Sequence, residues 1–171
     1  GAVLGLLAMQ RPAFGQRVTR IVMVDPFAYM PWYLGLFLWP VVGRLFYYST
    51  FANPLGRVLT NLGLSKHRAR GTDMTGGFAA ANHGMILKYL AVLGACEPAS
   101  RFRGITAAVD IATGAKTFSA IRASVPLWQA ALPQATATVL EGAGHLPIQE
   151  AAPAVARLLF NGPEPVERPT F

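Results

Sequence analysis

The chain has few charged residues, a single cysteine and no long uninterrupted apolar run. Charged residues make up 13% of its 171 residues and hydrophobic residues 53%. Such a composition is typical of a folded, apolar-rich domain and excludes a disordered chain. Because Cys96 is alone, no internal disulfide can form, and with three scattered histidines it gives no ligand spacing for a zinc-finger type of site. We therefore expect no metal and no cofactor.

The distribution of charged and apolar residues also indicates whether the chain interacts with membranes or nucleic acids. The apolar segment 34–48 is interrupted by Pro40, Gly43 and Arg44, so it is too short and too broken for a transmembrane helix. The formal net charge is +7, but the only dense basic cluster is at residues 66–70, without the surrounding pattern of a nucleic-acid patch. We interpret this cluster as a solvated turn. It predicts no nucleic-acid partner and is weak evidence for a membrane surface.

The amino end of the chain carries no recognisable targeting signal. It is apolar but lacks a basic leader and a cleavage site, so we predict no signal peptide and a cytoplasmic location. It also lacks an initiator methionine, which suggests part of a longer protein. The sequence leaves the oligomeric state open.

Apolar runs alternate with helix-like segments along the chain. Three runs are typical of strands that are covered on both faces, and they lie at residues 19–24, 105–113 and 135–140. Helical patterns lie at about residues 1–10, 77–93, 119–132 and 149–160. This alternation predicts the α/β class, with parallel strands and helices on both faces of the sheet.

A long segment between the first two predicted strands has a different composition. Residues 27–103 are rich in aromatic side chains and are divided by prolines into short helices, so we interpret them as a helical insertion. The core would then comprise residues 1–26 and 104–162, followed by a flexible tail at 163–171. Six aromatic residues of the insertion are candidates for lining an apolar pocket for a hydrophobic small molecule: Trp32, Tyr33, Phe37, Trp39, Phe46 and Tyr47.

One histidine follows the third predicted strand. After Leu140 the chain reads Glu-Gly-Ala-Gly-His-Leu-Pro, and Gly142 and Gly144 allow backbone conformations that other residues resist. His145 is therefore predicted at the carboxyl edge of the sheet, where open α/β sheets bind ligands and where an imidazole can exchange protons. On these residues alone, a loop histidine that only forms hydrogen bonds is the alternative.

These segments together resemble the α/β-hydrolase family. Residues 1–12 are similar to the helix that follows the family's Gly-x-Ser-x-Gly turn, and residues 20–26, Arg-Ile-Val-Met-Val-Asp-Pro, are similar to the next strand. Residues 140–147, Leu-Glu-Gly-Ala-Gly-His-Leu-Pro, resemble the loop of the catalytic histidine. The resemblance covers nearly the whole chain and is loosest in 27–103, the position of the family's variable cap. It implies a partial α/β-hydrolase fold that starts just after the nucleophile turn.

The resemblance also implies a reaction. In this family a nucleophile attacks the substrate, a histidine acts as base, and an acid orients the histidine. His145 matches the histidine. The nucleophile would lie about three residues before Gly1, upstream with the oxyanion hole, so we expect this chain alone to be inactive. The implied activity is hydrolysis of an ester or similar bond in a hydrophobic small molecule.

The acid is where this sequence departs from the family pattern. The usual aspartate position falls on Thr117, which carries no charge. Asp25 follows the first strand, where haloalkane dehalogenases and some other members carry their acid, so it is the preferred replacement. Asp110 lies inside a strand and is interpreted as locally paired. A water molecule at Thr117, or no functional acid at all, are the remaining possibilities.

Two other functions stay open at this point. Thr117 favours a non-catalytic relative that binds a hydrophobic ligand or partner through the former pocket. Asp25 suggests a dehalogenase-type hydrolase with an aspartate nucleophile. The residue at the nucleophile position, upstream of Gly1, distinguishes among the three.

Overall fold

The computed structural model describes residues 1–95 and 99–161. Their strands form one parallel sheet in the order β1-β2-β3, with β1 at Arg20–Val24, β2 at Ala108–Gly114 and β3 at Ala135–Leu140. Val24 pairs with Ala112 and Gly114 pairs with Leu140, so the three strands end at the same edge. The central strand β2 is buried from Val109 onward, as expected of a strand that is covered on both faces. The predicted α/β class is confirmed.

Helices flank this sheet and fill the segment between β1 and β2. In chain order they are α1 Ala2–Met9, α2 Pro12–Gly15, α3 Trp32–Gly35, α4 Val42–Tyr47, α5 Pro54–Gly63, α6 His83–Ala95, α7 Ser119–Ala131, α8 Pro147–Glu150 and α9 Ala152–Asn161. Single turns of tighter or wider helix occur at Leu36–Leu38, Tyr48–Ala52, Ser65–His67, Gly76–Ala80 and Ala99–Phe102. Within the part of the chain that the structure describes, no helix has the length and hydropathy needed to cross a bilayer.

Apolar side chains cover both faces of the sheet. One cluster joins α1 and α7 to the strands through Leu6, Met23, Ile111 and Trp128. A second cluster, which includes Leu140, Val155 and Leu158, lies between the sheet and α9. Successive strand residues point to opposite faces, so Met23 belongs to the first cluster while Val22 and Val24 pack on the second.

Two predicted helices are wrong in their bounds. The helix expected at 77–93 is a 3₁₀ turn at Gly76–Ala80 followed by α6, which begins only at His83. Asn82 explains the break, because its Oδ1 accepts a hydrogen bond from the backbone N–H of Met85 at 3.0 Å and so starts a new helix. The helix expected at 149–160 is divided at Ala151 into α8 and α9.

The segment between β1 and β2 has an aromatic centre of its own. Tyr47 is fully buried, its ring contacts those of Phe37 and Phe51, and its hydroxyl lies 3.1 Å from Nδ1 of His83. Burial, and next the neighbouring Tyr48, raise the pKa of the Tyr47 phenol. The division into a core and a 27–103 cap stays a prediction, and the predicted tail at 163–171 lies outside the described residues.

Candidate active site

Three loops meet at the edge of the sheet where the strands end. Asp25 follows β1, Thr117 lies in the loop after β2, and His145 lies in the loop after β3. Because the strands are parallel and paired in this order, their carboxyl ends lie side by side. The fold thus brings together the histidine and the two positions that the sequence suggested for its acid.

Asp25 is the carboxylate beside His145. Its Oδ2 lies 2.9 Å from Nδ1 of His145 and also accepts a hydrogen bond from Oγ1 of Thr117 at 2.5 Å. Its Oδ1 accepts a hydrogen bond from the backbone N–H of Gly114 at 3.0 Å. The side chain of Asp25 is only 4% exposed, and a buried carboxylate is costly unless it is paired and hydrogen-bonded. These three donors meet that requirement and fix the carboxylate in place.

The backbone of Asp25 is also constrained. Its φ of +48° lies in the left-handed region, which non-glycine residues rarely occupy. Its N–H bonds to the carbonyl of Ala112 at 2.8 Å and so extends the β1–β2 pairing by one residue. This conformation costs about 1 kcal/mol or more, a strain that is common at functional sites. The strand therefore ends in a turn that directs the carboxylate towards the neighbouring loops.

The contact with Asp25 determines the tautomer of His145. An ionised carboxylate can only accept hydrogen bonds, so Nδ1 of the imidazole carries the proton. In the neutral ring the other nitrogen, Nε2, then holds the free lone pair and can accept a proton. The arrangement therefore holds the imidazole in the orientation and tautomer that a general base needs.

The histidine loop is held in place by close backbone packing. Gly142 adopts a φ of +77°, which glycine tolerates without strain. A side chain on Gly144 would collide with the backbone of His67 and Arg68, so glycine is required there as well. The N–H of His145 bonds to the carbonyl of His67 at 2.8 Å. The chain around His67, in the segment between β1 and β2, therefore supports the loop.

Glu150 joins the same two segments. Its Oε2 accepts a hydrogen bond from the N–H of Gly144 at 2.5 Å, and its Oε1 accepts one from the N–H of Ala69 at 2.7 Å. Lys66 and Arg70 are exposed, as expected of a solvated turn, while the backbone of the same segment bonds to Glu150. Sequence reasoning missed this role of Glu150, because the partners of its carboxylate are backbone groups that leave no side-chain pattern.

Two aromatic rings flank the imidazole. The centroids of the Phe118 and His145 rings are 4.6 Å apart, and those of Phe27 and His145 are 6.1 Å apart. The imidazole side chain keeps 26% of its surface exposed. It is thus packed on its sides but still accessible, as a residue that exchanges protons with a ligand must be. The sequence analysis did not identify either phenylalanine as a site residue.

The other candidate acid, Asp110, lies elsewhere. It is in the middle of β2, where its Oδ2 is 2.6 Å from Nε of Arg20 and its Oδ1 accepts a hydrogen bond from Oγ1 of Thr136 at 2.5 Å. Arg20 also donates to the carbonyls of Leu158 and Leu159 near the end of α9. Asp110 therefore ties the three strands to α9, in agreement with its interpretation as a locally paired residue.

A largely apolar cavity opens beside Asp25. It has a volume of about 380 Å³ and is bounded by residues 1–4 at the start of α1, by residues 24–27 after β1, and by α6. The helix contributes Ile86, Tyr89, Leu90, Val92 and Leu93. A second opening of about 330 Å³, lined by His145 and residues 146–149, also reaches Asp25. Asp25 thus lies between an apolar cavity and the histidine loop.

The six aromatic residues predicted to line a pocket are not grouped in one place. Phe37 and Tyr47 are buried within the aromatic centre of the segment between β1 and β2. Trp32, Trp39 and Phe46 are 78%, 60% and 57% exposed. Tyr33 is partly buried against Trp32, and burial raises the pKa of its phenol, as does Tyr29. The cavity beside Asp25 is lined instead by α6, whose aliphatic residues the sequence analysis did not identify.

Comparison with known proteins identifies the fold. No protein-family model and no curated protein matches the sequence. Among solved structures, the chain is similar to the enol-lactonase from Burkholderia xenovorans LB400, with a TM-score of 0.66 and 14% identity over 92% of this chain. It is also similar to the Cif epoxide hydrolase from Acinetobacter nosocomialis, with a TM-score of 0.63 and 15% identity over 91% of the chain.

A third similar structure is MGS-M2, an alpha/beta hydrolase enzyme from a Medee basin deep-sea metagenome library, with a TM-score of 0.59 and 16% identity over 97% of this chain. The chain spans 60% of the length of the enol-lactonase, 56% of the epoxide hydrolase and 64% of MGS-M2. The chain thus has a partial α/β-hydrolase fold, and the resemblance found in the sequence is confirmed at the level of the fold.

Proposed function

We propose that the chain is part of a hydrolase in which His145 is the general base and Asp25 is its acid. The single observation that carries this proposal is the 2.9 Å contact between Nδ1 of His145 and Oδ2 of Asp25 at the carboxyl edge of the sheet. The partial α/β-hydrolase fold supports it, because that edge is where open α/β sheets bind ligands.

In the proposed reaction, Nε2 of His145 takes the proton from an attacking hydroxyl or water. The proton on Nδ1 stays in the hydrogen bond to Asp25, whose negative charge stabilises the imidazolium that forms. Thr117 and Gly114 keep the carboxylate oriented through their own hydrogen bonds. The base thus returns its proton to the leaving group without any change in the position of the acid.

The proposed nucleophile and oxyanion hole lie upstream of Gly1. The cavity beside Asp25 is bounded by residues 1–4 at the start of α1, so a group just before Gly1 would lie at its wall. We propose that this cavity accepts the substrate. Its mostly aliphatic lining from α6 favours an ester or similar bond in a hydrophobic small molecule over a sugar or a phosphate.

The test is hydrolysis of p-nitrophenyl esters of increasing acyl length by the full-length protein. We expect the rate to rise from acetyl to medium-length acyl chains, and His145→Ala to lower kcat by about 10⁴-fold or more because the general base is lost. His83→Ala is the matched control, since His83 lies in the cap against Tyr47, and it should keep most of the rate.

A wild-type rate from His145→Ala would refute the proposal. The alternative of a non-catalytic binder depended on the missing charge at Thr117. Asp25 supplies a carboxylate at hydrogen-bond distance from both Thr117 and His145, so that argument no longer favours a binder. A protein that binds hydrophobic esters but hydrolyses none of them would restore the alternative.

A further inference from the structure

Helix α5 turns its polar face towards the protein and its apolar face towards solvent, which is the reverse of the usual arrangement. Its inner face is polar or small: Gly56 lies against the backbone of Ser49, and Asn61 accepts a hydrogen bond from the N–H of Met74 at 3.0 Å. Arg57 also points inward and donates to the carbonyl of Ala52 at 2.9 Å. Helices of water-soluble domains normally turn their apolar stripe towards the core.

The apolar stripe of α5 faces outward. Leu55, Val58, Leu59 and Leu62 follow the i, i+3, i+4, i+7 spacing that places side chains on one side of a helix. Their exposed fractions are 66%, 56%, 61% and 61%. We refer to these four side chains as the outer face of α5. Scattered exposed leucines are ordinary, but a contiguous stripe marks an interaction surface.

The preceding segment adds further exposed apolar side chains. Trp39, Val41 and Leu45 are 60%, 84% and 70% exposed. Val41 has a φ of +61° in a tight turn in which the N–H of Val42 bonds to the carbonyl of Pro40 at 2.7 Å. Tryptophan and tyrosine are both enriched at membrane–water interfaces.

Exposed basic side chains outnumber exposed acidic ones among the described residues of the segment that contains α5, where Asp73 is the exposed acid. No aspartate or glutamate occurs between Pro26 and Thr72, whereas Arg44, Lys66 and Arg70 are all exposed. Lys66 and Arg70 lie three and seven residues after Gly63, the last residue of α5. An apolar helix face followed along the chain by exposed basic side chains matches the composition of helices that lie in the headgroup region of anionic bilayers. A symmetric contact between two copies would instead place like charges against each other.

We propose that the outer face of α5 docks on the surface of an anionic lipid bilayer, with Lys66 and Arg70 against the headgroups. This inference is independent of the proposed hydrolase activity, since none of these side chains contacts Asp25 or His145. The bilayer would cover the four apolar side chains, which the described residues leave in contact with solvent.

The test is co-sedimentation of the full-length protein with vesicles of phosphatidylcholine alone and of phosphatidylcholine mixed with phosphatidylglycerol. We expect at least about tenfold tighter partitioning into the mixed vesicles, and a loss of this preference at high salt. Leu59→Glu combined with Leu62→Glu should weaken partitioning by about tenfold or more. Leu127→Glu, at an exposed leucine of α7, is the matched control and should bind as wild type.

A second double variant tests the contribution of the basic side chains to vesicle binding. Lys66→Glu with Arg70→Glu should weaken binding to the mixed vesicles by about tenfold. Arg11→Glu with Arg17→Glu makes the same charge change at exposed positions outside the cap and should have a smaller effect. All variants replace exposed side chains, so their thermal unfolding should match wild type and show that a loss of binding is not a loss of fold.

Several results would overturn the inference. These are no sedimentation with either vesicle, equal binding to both lipid compositions, or wild-type binding by the α5 variant. A dimer in solution that the α5 variant dissociates, without any binding to vesicles, would assign the outer face of α5 to a second copy of the chain instead.

Discussion

The carboxyl edge of the sheet and helix α5 differ in where their polar and apolar groups lie. At the edge, both oxygens of the buried Asp25 have donors, and the nearby Glu150 bonds to two backbone N–H groups. On α5, polar side chains turn inward and an apolar stripe stays exposed. The edge therefore has the properties of a preformed site, whereas α5 has those of a surface that an interaction partner covers.

The first prediction exchanges the positions of the acid. Oδ2 of Asp25 contacts both Thr117 and His145, so a carboxylate on residue 117 should reach the same imidazole. The double variant Asp25→Asn with Thr117→Asp should have a kcat at least about tenfold higher than that of Asp25→Asn alone. The reason is that a negative charge again lies beside the imidazolium. The measurement is kcat for a p-nitrophenyl ester with the full-length protein.

Thr117→Asp in the wild-type background is the control for that exchange. It places two carboxylates side by side, so it should lower stability and should not raise kcat. No recovery in a double variant that folds as wild type would show that position 117 cannot take over the role of Asp25.

The second prediction concerns Asp110, which we assign to stability. Asp110→Ala removes the partner of Arg20 and Thr136 inside the sheet. The free energy of unfolding should fall by about 2–3 kcal/mol, because a partly buried guanidinium and a hydroxyl lose their acceptor. Urea denaturation measures the loss, while kcat at a temperature where the variant is folded should stay within about threefold of wild type. A large fall in kcat would instead place Asp110 in the site.

The third prediction compares two glycines of α5. A side chain at Gly56 would collide with the backbone of Ser49, whereas nothing lies near Gly63. Gly56→Ala should therefore destabilise the protein by about 1–3 kcal/mol, because the polar face of α5 is packed inward. Gly63→Ala should be neutral or stabilise by up to about 1 kcal/mol through helix propensity. Equal effects in thermal unfolding would contradict the inward orientation of that face.

The smallest predicted effect concerns Asp73, the one acidic residue that the structure describes between Pro26 and Asp110. Hydrogen bonds from the backbone N–H and the hydroxyl of Thr75 hold the pKa of Asp73 below its usual range. The ionised Asp73 therefore contributes to the free energy of unfolding. This stabilisation is fully present above the ordinary aspartate pKa and is lost as the pH falls through the lowered pKa. Asp73→Asn should thus lower the melting temperature slightly at pH 7, and the difference should shrink at about pH 3. A difference independent of pH would contradict this assignment.

The sheet was more predictable than the segment between β1 and β2, for a physical reason. Continuous apolar runs identify strands that are covered on both faces, so the sequence placed β3 at residues 135–140, as observed. The glycines before His145 indicated a loop at the sheet edge, because only glycine fits such close packing. The position of Asp25 followed from the parallel order of the strands, although its contacts with Thr117 and Gly114 required coordinates.

The segment between β1 and β2 was less predictable because its local patterns conflict with its packing. An amphipathic pattern such as that of α5 indicates a helix and its apolar stripe, but normally places that stripe inside. Aromatic residues were expected to line a pocket, yet Phe37 and Tyr47 pack against each other and Trp39 is exposed. Periodicity gives the face of a helix but not what the face contacts, which is decided by the surrounding structure.

The central claim is that Asp25 acts through His145, and one measurement tests it most directly. This is the kcat of Asp25→Asn relative to wild type, in the full-length protein with a p-nitrophenyl ester. We predict a fall of about 10³–10⁴-fold with KM nearly unchanged, because the variant keeps the shape but loses the charge and the tautomer control. A fall of less than about tenfold in a variant that folds as wild type would contradict the claim.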